Sequence, residues 1–535
     1  MGITARSTDV QVDVVGSSTF GVDPKISPAK TYNMIVSNGA LVGNMGFKKS
    51  IELLSDENQR VEGRGIFRSI RGLIAIVVVN KQVWRLANNN GASLVGEIDT
   101  SSGPVFIDEN LSGQICIVDG LDAYIYNRIT NSFTKQSLGA DLVPNYVVFH
   151  DTYFLFGNAD VSGNGAKWFA YSFDTDSTIK EVFELALQTK PDYARAVVRL
   201  PGLGNNVLVM GESVSEIHTA VGGLQGYQRV STKNIDYGVL NVETIAFSDR
   251  FVVWLATNQS AEPVIATFNG QEFQTLSSDG INNLLRSIQN PRKSSGMMYK
   301  VYGHLIYQIT FYDSRDDISL IYDFTEQKFY HISDYDLTFH PARQFIYARE
   351  KYFFISLKNG SIYESSTDLI SYDENLVNEG SSSYLEHLNH IIPRQRVCSS
   401  IRTDGGRFRC RRMLLILKQG SDVRNSELKY LTGCSEKIVT IDTGEDIVTI
   451  QGGEAIVTIS SDKCLPYRPA VDLAVSKDGG ETYSAYVRRD MRFLGFRQNE
   501  MTWEQLGICN EFTPKFKFWG YDNFVILGAT LELSK

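Results

Sequence analysis

The sequence contains few of the features that mark secreted or membrane proteins. Six cysteines are scattered over 535 residues with no Cys-x-x-Cys pair, which is typical of reduced thiols in a protein made in a cytoplasm. The N-terminus has no apolar core of the kind that a signal peptide requires, and Arg6 breaks the myristoylation pattern. The longest aliphatic run, Leu73–Val79, is too short to cross a bilayer. These features predict assembly in a cytoplasm, without a membrane span.

The chain also has fewer basic residues than acidic ones, with 52 Lys and Arg against 61 Asp and Glu. The net charge is −9, whereas a free-standing DNA-binding protein normally presents a basic surface. A protein that encloses DNA without binding its phosphates is not excluded by this balance.

Motifs for cofactors and metals are missing as well. No Gly-x-x-x-x-Gly-Lys-[Ser/Thr] phosphate loop occurs, and Gly202-Leu203-Gly204 is not followed by the helix that a dinucleotide loop needs. The seven histidines include one pair with helical spacing, His387 and His390, without a third metal ligand. We therefore expect no cofactor, no metal and no catalytic residue.

Short apolar runs separated by turn residues dominate the chain. The clearest example lies between Gly296 and Ser333, where breakers such as Gly303 separate four runs: Met297–Tyr302, His304–Tyr312, Ile318–Asp323 and Lys328–Ile332. Strands rich in Ile, Tyr, Phe and Val between Gly, Asp and Ser residues indicate antiparallel hairpins. Helical periodicity is scarce, and Ile281–Ile288 is its best example.

The four-strand unit recurs from about residue 65 onward. Its second strand is the most recognisable, and successive copies are roughly 40 to 55 residues apart, as in β-propeller blades. These second strands are predicted at Leu73–Val79, Gln114–Asp119, Tyr153–Phe156, Asn206–Met210, Phe251–Ala256, His304–Thr310 and Lys351–Leu357. The pattern predicts an all-β fold with a propeller of about seven blades, six being possible. Two or more stacked β-sandwiches are the alternative.

Composition divides the remaining chain into segments. Residues 1–60 have little core of their own and suggest an extended arm that becomes ordered in an assembly. The propeller is predicted at residues 61–370, a polar linker at 371–395 and a β-sandwich at 396–535. Strands of this sandwich are predicted at Arg411–Lys418, Ala470–Val475, Tyr483–Val487 and Asn523–Leu533.

A nine-residue repeat interrupts the predicted sandwich at residues 437–460. Ile438, Ile447 and Ile456 mark three copies of a short strand, which predicts a three-stranded β-ribbon. Its acidic turns carry Asp442, Glu445, Asp446 and Glu454. Because both faces are partly apolar, the ribbon is a candidate for a channel or tip gate, with a surface decoration as the alternative.

One motif has an association with enzymes. Ser476, Asp478 and Gly480 belong to the Ser-x-Asp-x-Gly-x-Thr-aromatic pattern of the sialidase Asp box. An aspartate there can accept hydrogen bonds from backbone amides of its own turn, so we predict a structural role. A sialidase-like glycosidase nevertheless remains an alternative.

Three stretches carry a resemblance to a known family. The first contains Gly211-Glu212-Ser213-Val214-Ser215-Glu216-Ile217 and continues through residues 229–285. The second contains Tyr302-Gly303-His304 and Tyr322-Asp323, and the third spans LAVSKDGGETYS and RFLGFRQNEMTWEQLG. Together they resemble the packaged-DNA stabilisation, or tail hub (nozzle), proteins of short-tailed bacteriophages such as P22. The resemblance is strongest between Gly211 and Tyr330.

The resemblance implies a structural virion protein. Members form a homohexameric ring in the virion tail that extends the DNA channel below the portal and the adaptor ring. The implied partners are other copies of the chain, the adaptor ring, and tail needle, fibre or spike proteins. Double-stranded DNA would pass through the lumen without sequence-specific binding and be retained until ejection. The implied motif residues are Gly211, Glu216, Gly303, His304, Tyr322 and Asp323, and a host-receptor-binding protein is a further alternative.

Overall fold

The computed structural model describes residues 7–21, 29–54, 61–69, 74–87, 91–161, 163–313, 315–369, 371–373, 390–403, 406–419, 469–491, 498–520 and 524–534. The chain forms two compact units. One comprises residues 17–30 and 49–367, and the other comprises residues 1–16, 31–48 and 368–535. We call them the large unit and the small unit.

The described residues are nearly all β, as the sequence predicts. Strands predominate because short runs rich in Val, Ile, Phe and Tyr are separated by turn residues. The described part contains one α-helix, Asp279–Ser287, and the short 3-10 helices Gly223–Gln225 and Val242–Thr244. The helix matches the predicted segment Ile281–Ile288, because Ile281 and Leu285 lie one turn apart and are buried.

The described strands of the large unit form successive antiparallel sheets, which we number in chain order. Sheet 1 has strands Gly63–Ser69, Ile74–Val79, Gln82–Leu86 and Ala92–Glu97. Sheet 2 has Phe106–Glu109, Gln114–Val118, Ala123–Asn127 and Ser132–Gln136. Sheet 3 has Pro144–His150, Tyr153–Asn158, Lys167–Phe173 and Ile179–Ala186. Sheet 4 has Ala196–Arg199, Asn206–Met210, Ser215–Gly222 and Gly226–Ile235.

The later sheets depart slightly from this plan. Sheet 5 has Gly238–Val239, Ala246–Phe247, Val252–Thr257, Val264–Phe268 and Phe273–Thr275. Sheet 6 has Ser294–Val301, His304–Phe311, Ile318–Asp323 and Lys328–Ile332. Sheet 7 has Ala342–Ala348, Lys351–Ser356 and Ile362–Ser366. Each of the seven predicted second strands coincides with a strand that pairs with the first strand of its own sheet.

Two kinds of turn join these strands. Between the first and second strands, the hairpin residues have positive φ at Asp151-Thr152, Tyr302-Gly303 and Arg349-Glu350, which is the geometry of a type I′ turn. Between the last two strands of sheets 2, 5 and 6, a side-chain oxygen of Asn127, Asn269 or Asp323 accepts the backbone N–H groups two and three residues ahead. These Asx turns explain why Asn or Asp stands at the end of the preceding strand or directly after it.

The sheets pack face to face in chain order around a closed circuit. Apolar side chains of sheets 1 and 2 share one core, and those of sheets 2 and 3 share another. Sheets 3, 4 and 5 share a third core, and sheets 5 and 6 a fourth. Tyr299 of sheet 6 contacts Phe345 of sheet 7, with ring centroids 4.8 Å apart. Val77 and Ile66 of sheet 1 pack with Ile355 of sheet 7. Antiparallel sheets that pack face to face in a closed circuit are the architecture of a β-propeller.

Segments from the N-terminal side complete the large unit. The strand Gly46–Ile51, which belongs to this unit from Lys49 onward, pairs with Ile362–Ser366 as the fourth strand of sheet 7. Ile51 then packs against the core shared by sheets 7 and 1. Residues 17–21, which we call the strap, lie on sheet 6: the Ser18 N–H donates to the Phe329 carbonyl at 3.0 Å.

The small unit brings the two ends of the chain together. One sheet has the strand order Met34–Ser37, Ala40–Gly43, Phe524–Ser534, Phe408–Gln419 and Gln498–Cys509, and Ser7–Val12 pairs with Phe524–Ser534. The other contains Lys30–Tyr32, Arg394–Val397, Glu511–Trp519, Ala470–Ser476, Val487–Asp490 and Ile401–Arg402. The short strands Ser371–Asp373 and His390–Ile391 pair with each other.

Aromatic side chains of these two sheets meet in one core. The ring centroids of Trp503 and Phe516 are 6.0 Å apart, and those of Phe518 and Phe524 are 5.2 Å apart. Buried Arg396 donates hydrogen bonds to the Asp13 carbonyl and the Thr31 hydroxyl, both at 2.8 Å. The described residues up to position 16 and residues 31–48 therefore belong to the same unit as the described residues after position 390.

The predicted strand Tyr483–Val487 is wrong. The structure places a strand at Val487–Asp490, whereas the preceding residues follow the turn that Asp478 organises. The long strands Gln498–Cys509 and Glu511–Trp519 were not predicted individually. The predicted ribbon at 437–460 and most of the predicted linker lie outside the described residues. The predicted domain boundaries stay predictions.

Candidate functional site

The candidate site of the large unit is a set of buried charges on and beside the first strands of its sheets. The first strands of sheets 1 and 2, 2 and 3, 3 and 4, 6 and 7, and 7 and 1 contact one another. A charged side chain on one first strand can therefore reach the strands of its neighbours.

Arg343 forms the most extensive of these connections. It lies at the start of sheet 7, and its side chain is 2% exposed. Its Nε donates to Glu243 Oε1 at 2.7 Å, and its Nη1 donates to Glu62 Oε1 at 2.7 Å and to the Gly63 carbonyl at 2.9 Å. The Tyr312 hydroxyl donates to Glu243 Oε2 at 3.0 Å. One guanidinium therefore links the entry of sheet 1, the 3-10 turn of sheet 5 and sheet 7.

The electrostatics of this cluster keep Arg343 positively charged. Burial alone would lower the pKa of Arg343, but the carboxylates of Glu243 and Glu62 outweigh that effect and raise it. Burial, together with the charge of Glu243, raises the pKa of the Tyr312 hydroxyl. The tyrosine therefore remains a neutral hydrogen-bond donor, and the cluster is fully occupied by its own members.

Arg64 makes a similar connection between sheets 1 and 2. Its guanidinium donates to the carbonyls of Gly103 at 2.8 Å, Thr100 at 2.6 Å and Asn80 at 3.0 Å. The Thr100 hydroxyl in turn donates to Asp119 Oδ2 at 2.8 Å. Burial lowers the pKa of Arg64 to about 10, so it stays charged at neutral pH. The segment between the two sheets is thereby attached to both.

A third connection joins sheets 2, 3 and 4. Asp108 of sheet 2 accepts the backbone N–H of Phe149 at 2.7 Å and lies 3.2 Å from Nη2 of Arg199 in sheet 4. Burial raises the pKa of the Asp108 carboxyl, while the Arg199 charge opposes this shift. His150 of sheet 3 contacts the Tyr227 hydroxyl and the Gly204 carbonyl of sheet 4, both at 2.9 Å.

The predicted motif residues of sheet 4 hold a turn and a neighbouring loop. The Gly211 N–H donates to the Val214 carbonyl at 2.7 Å, and a Cβ at Gly211 would lie 2.5 Å from Asp192 Oδ2. Glu216 is fully buried and accepts the N–H of Gln188 at 2.9 Å and that of Thr189. His218 Nε2 lies 3.2 Å from Glu216 Oε2.

The environment of Glu216 favours its ionised form. Burial would raise the pKa of this carboxyl, but hydrogen bonds from His218, Thr189 and Gln188 outweigh burial and lower the pKa to about 2. The carboxylate thus fixes the connection between sheets 3 and 4. This role resembles that of a cap rather than that of a proton donor.

The predicted residues of sheet 6 form a second local group. Gly303 occupies the type I′ turn with φ of 82°. His304 Nδ1 lies 2.7 Å from Asp323 Oδ2, and the other carboxylate oxygen of Asp323 accepts the N–H of Thr325 at 2.8 Å. The Tyr322 ring packs against Phe324 and Phe329, with centroids 4.9 and 4.8 Å away. These residues lock the two hairpins of one sheet together.

The predicted residues of the small unit form an Asp-box turn. Asp478 accepts the N–H of Thr482 at 3.0 Å and that of Glu481 at 3.1 Å, while the Gly480 N–H donates to Ser476 Oγ at 2.8 Å. Hydrogen bonds from the Ser476 and Thr482 hydroxyls lower the pKa of the Asp478 carboxyl. Its two oxygens are thus engaged within the turn.

The predicted residues do not converge on one site. They occupy sheet 4, sheet 6 and the small unit, and those of the proposed gate (Ile438, Asp442, Glu445, Asp446, Ile447, Glu454 and Ile456) lie outside the described residues. Sequence reasoning missed Arg343, Glu243, Arg64 and Asp192. Asp192 accepts the N–H groups of Glu212, Ser213 and Val214. It lies some twenty residues from these groups, so no local motif could indicate its role.

Two further findings concern the part of the chain that the structure describes. Three or more His, Cys, Asp or Glu side chains do not come together there in a way that could hold a metal ion. None of its helices has the length and apolar character needed to cross a membrane.

Comparisons with known proteins find a distant likeness in fold. No family model matches the chain, and no curated protein matches it. Virginiamycin B lyase from Staphylococcus aureus is 12% identical, with a TM-score of 0.41 over 58% of this chain and 97% of that one. The Pan2 WD40 domain of Neurospora crassa is 9% identical, with a TM-score of 0.38 over 62% and 97%. The Cps50 (Swd1) β-propeller domain of Myceliophteria thermophila is 9% identical, with a TM-score of 0.41 over 60% and 99%. Likenesses at this level give no information on function.

Proposed function

We propose that this chain is a structural, non-catalytic subunit of the tail hub, or nozzle, of a short-tailed bacteriophage. Six copies form a ring that extends the DNA channel below the portal and adaptor, retains the packaged genome and opens for ejection. The ring belongs to the virion tail and assembles in the host cytoplasm. Its neighbours are the adaptor ring and the needle, fibre or spike proteins of the tail.

The observation that carries this proposal is the Arg343 cluster. An enzyme centred on a propeller presents charged groups to its substrate in a cleft. Here the side chains hydrogen-bond to one another: Arg343 to Glu243 and Glu62, and Tyr312 to Glu243. These bonds connect sheets that are far apart in the chain. Buried charges that are paired with one another support a rigid scaffold. A subunit of a conduit under pressure requires such rigidity.

The family resemblance provides the second support. The motif residues Glu216, His304 and Asp323 are buried and hold turns and connections of sheets 4 and 6. These contacts supply a structural reason for the motifs by which the chain resembles the tail hub proteins.

We further propose that the large unit is a seven-bladed propeller and the small unit a β-sandwich. In this arrangement sheets 1 to 7 are the blades, and Gly46–Ile51 supplies the outer strand of the seventh. The contacts between Trp503 and Phe516 and between Phe518 and Phe524 support the sandwich, because each joins residues of its two sheets.

The mass of the native particle tests the proposed function. Light scattering and electron microscopy of the purified chain, alone and mixed with an adaptor ring, are expected to reveal a six-fold ring. The same preparation is assayed for cleavage of sialylated and neutral glycans. A monomer that cleaves a glycan would establish the glycosidase alternative and overturn the proposal.

A further inference from the structure

Two cysteines of the small unit lie side by side on neighbouring strands. Cys410 belongs to Phe408–Gln419 and Cys509 to Gln498–Cys509, which pair antiparallel. Cys410 is opposite Gly507 and Phe408 is opposite Cys509, so the two cysteines are offset by two residues and share one face of the sheet. Their sulfur atoms are 3.7 Å apart.

We propose that Cys410 and Cys509 are a redox modification site, which a low-molecular-weight disulfide such as oxidised glutathione converts into a cross-strand disulfide. A disulfide needs the sulfur atoms about 2.0 Å apart and Cα atoms about 4.4–6.8 Å apart. Diagonal neighbours on paired strands have Cα atoms about 7–8 Å apart, slightly beyond this range, so closing the 3.7 Å gap between the sulfur atoms requires side-chain rotation and a small approach of the two strands.

Lys477 supplies a positive charge beside the pair. A Cβ placed on Gly507 would lie 2.5 Å from Lys477 Nζ, so the ammonium group occupies the space above the residue opposite Cys410. A nearby cation favours the thiolate, which is the reactive form of cysteine. Burial acts in the other direction and raises the pKa of both thiols. We therefore expect the two thiols to react slowly with an external disulfide, and their closeness favours the Cys410–Cys509 disulfide as the product.

The reaction proceeds by two thiol–disulfide exchanges. Cys509, the more exposed of the two at 6%, loses its proton and attacks one sulfur of oxidised glutathione. This forms a mixed disulfide and releases one glutathione thiolate. The Cys410 thiolate then attacks the Cys509 sulfur and displaces the second glutathione. Two protein thiols are oxidised, one glutathione disulfide is reduced, and the released thiolates take up the two protons.

Such a bond would join strands that are distant in the chain. The two cysteines are 99 residues apart. A disulfide that closes a long loop lowers the conformational entropy of the unfolded chain more than one that closes a short loop. The small unit would then be more stable in an oxidising medium than in a reducing cytoplasm. This inference does not depend on the function proposed above.

The test uses the full chain with Cys434→Ser and Cys464→Ser, because those two thiols lie outside the described residues. The reduced protein is incubated under native conditions with oxidised glutathione, alkylated, digested and analysed by mass spectrometry. We expect a peptide pair joined through Cys410 and Cys509, and a melting temperature raised by roughly 5 °C or more that dithiothreitol reverses. Buried Cys116 and Cys398 are internal controls, expected to remain thiols.

Matched variants separate the cross-link from other effects. Cys410→Ala and Cys509→Ala should each abolish the joined peptides and the shift in melting temperature, while their own melting temperatures should not respond to glutathione. Lys477→Met should slow cross-linking by about threefold to tenfold without preventing it. Recovery of both cysteines as thiols, as glutathione adducts only, or as links between two molecules would overturn the proposal. Oxidation of the urea-unfolded chain verifies that the reagent is active.

Discussion

Gly303 shows how a single residue sets the geometry of a hairpin. Tyr302 and Gly303 have φ of 48° and 82°, and a Cβ at Gly303 would meet no atom within 4 Å. A side chain at this position would therefore destabilise the protein through the left-handed backbone conformation and not through a steric clash. We expect Gly303→Val to lower the free energy of unfolding by about 1–3 kcal/mol. Gly303→Asn should lose less, because asparagine tolerates the left-handed region. Denaturant titration compares them, and an unchanged Val variant would contradict the turn assignment.

Replacing Arg343 should destabilise the large unit strongly. Arg343→Met leaves Glu243 and Glu62 without their cation, and removing one partner of a buried ion pair costs about 3–5 kcal/mol. Lys135→Met is the matched control, since Lys135 pairs with Asp99 and Asp122 at the surface, where solvent screens ion pairs and they contribute little to stability. Adding Glu243→Gln to Arg343→Met should recover part of the loss. Equal stability of the two single variants would contradict a structural role for the cluster.

Glu216 predicts a specific acid sensitivity. Its pKa of about 2 in the folded protein lies below the ordinary value of 4.5. The stabilisation is therefore complete above about pH 4.5 and is lost as the pH falls toward 2. Such a shift corresponds to about 3 kcal/mol. Glu216→Gln should lower stability at neutral pH, and its difference from the wild type should shrink on acidification. A difference that stays constant between pH 6 and pH 3 would contradict this.

The sequence predicts these residues unequally. Gly303 is visible because glycine between two apolar runs is a local signal for a hairpin turn. The motif containing Glu216 is visible only through resemblance. Arg343 is not visible at all: it lies 100 residues from Glu243, and its neighbours form an ordinary strand start. A buried ion pair between two sheets forms only when the circuit of sheets closes, and no local sequence pattern indicates that closure.

At the scale of elements, the strap depends on a glycine in the helix. Phe20 stacks on His331 with ring centroids 5.3 Å apart, and a Cβ at Gly280 would lie 1.9 Å from the Phe20 carbonyl oxygen. Gly280→Ala should therefore displace the strap, although alanine favours the helix. We expect faster hydrogen exchange at the Ser18 N–H, which donates to Phe329. Gly204→Ala, where a Cβ meets open space, is the control. Unchanged exchange at Ser18 would contradict the close approach.

The strands also show that a sequence pattern can locate a strand without indicating which strand it pairs with. Short apolar runs between turn residues located one central strand in each sheet of the large unit, because these strands are buried and short. The same kind of pattern misplaced a strand at Tyr483–Val487, where the Asp478 turn engages the backbone instead. Periodicity identifies a strand but not its partner. The pairing of Ser7–Val12 with Phe524–Ser534 was therefore out of reach.

At the scale of the whole molecule, charge predicts weak binding to DNA. Each chain carries −9, so six copies at −9 each amount to −54. Non-specific DNA binding draws on lysine and arginine contacts with phosphates and weakens with salt. We expect the proposed six-membered ring, once purified, to show no affinity for duplex DNA tighter than about 10⁻⁴ M at physiological salt. A basic DNA-binding protein in the same titration is the positive control. Tight, salt-dependent binding would contradict a conduit that lets DNA pass freely.

The pairing of the first described strand with the last has a consequence for the timing of synthesis. Ser7–Val12 leaves the ribosome early, but its partner Phe524–Ser534 is made some five hundred residues later. At about 5–20 residues per second, the first strand waits on the order of a minute. The sheets of the large unit can form in order during that interval, whereas the small unit cannot close. Surfaces that depend on the completed small unit therefore become available only once Phe524–Ser534 has been synthesised.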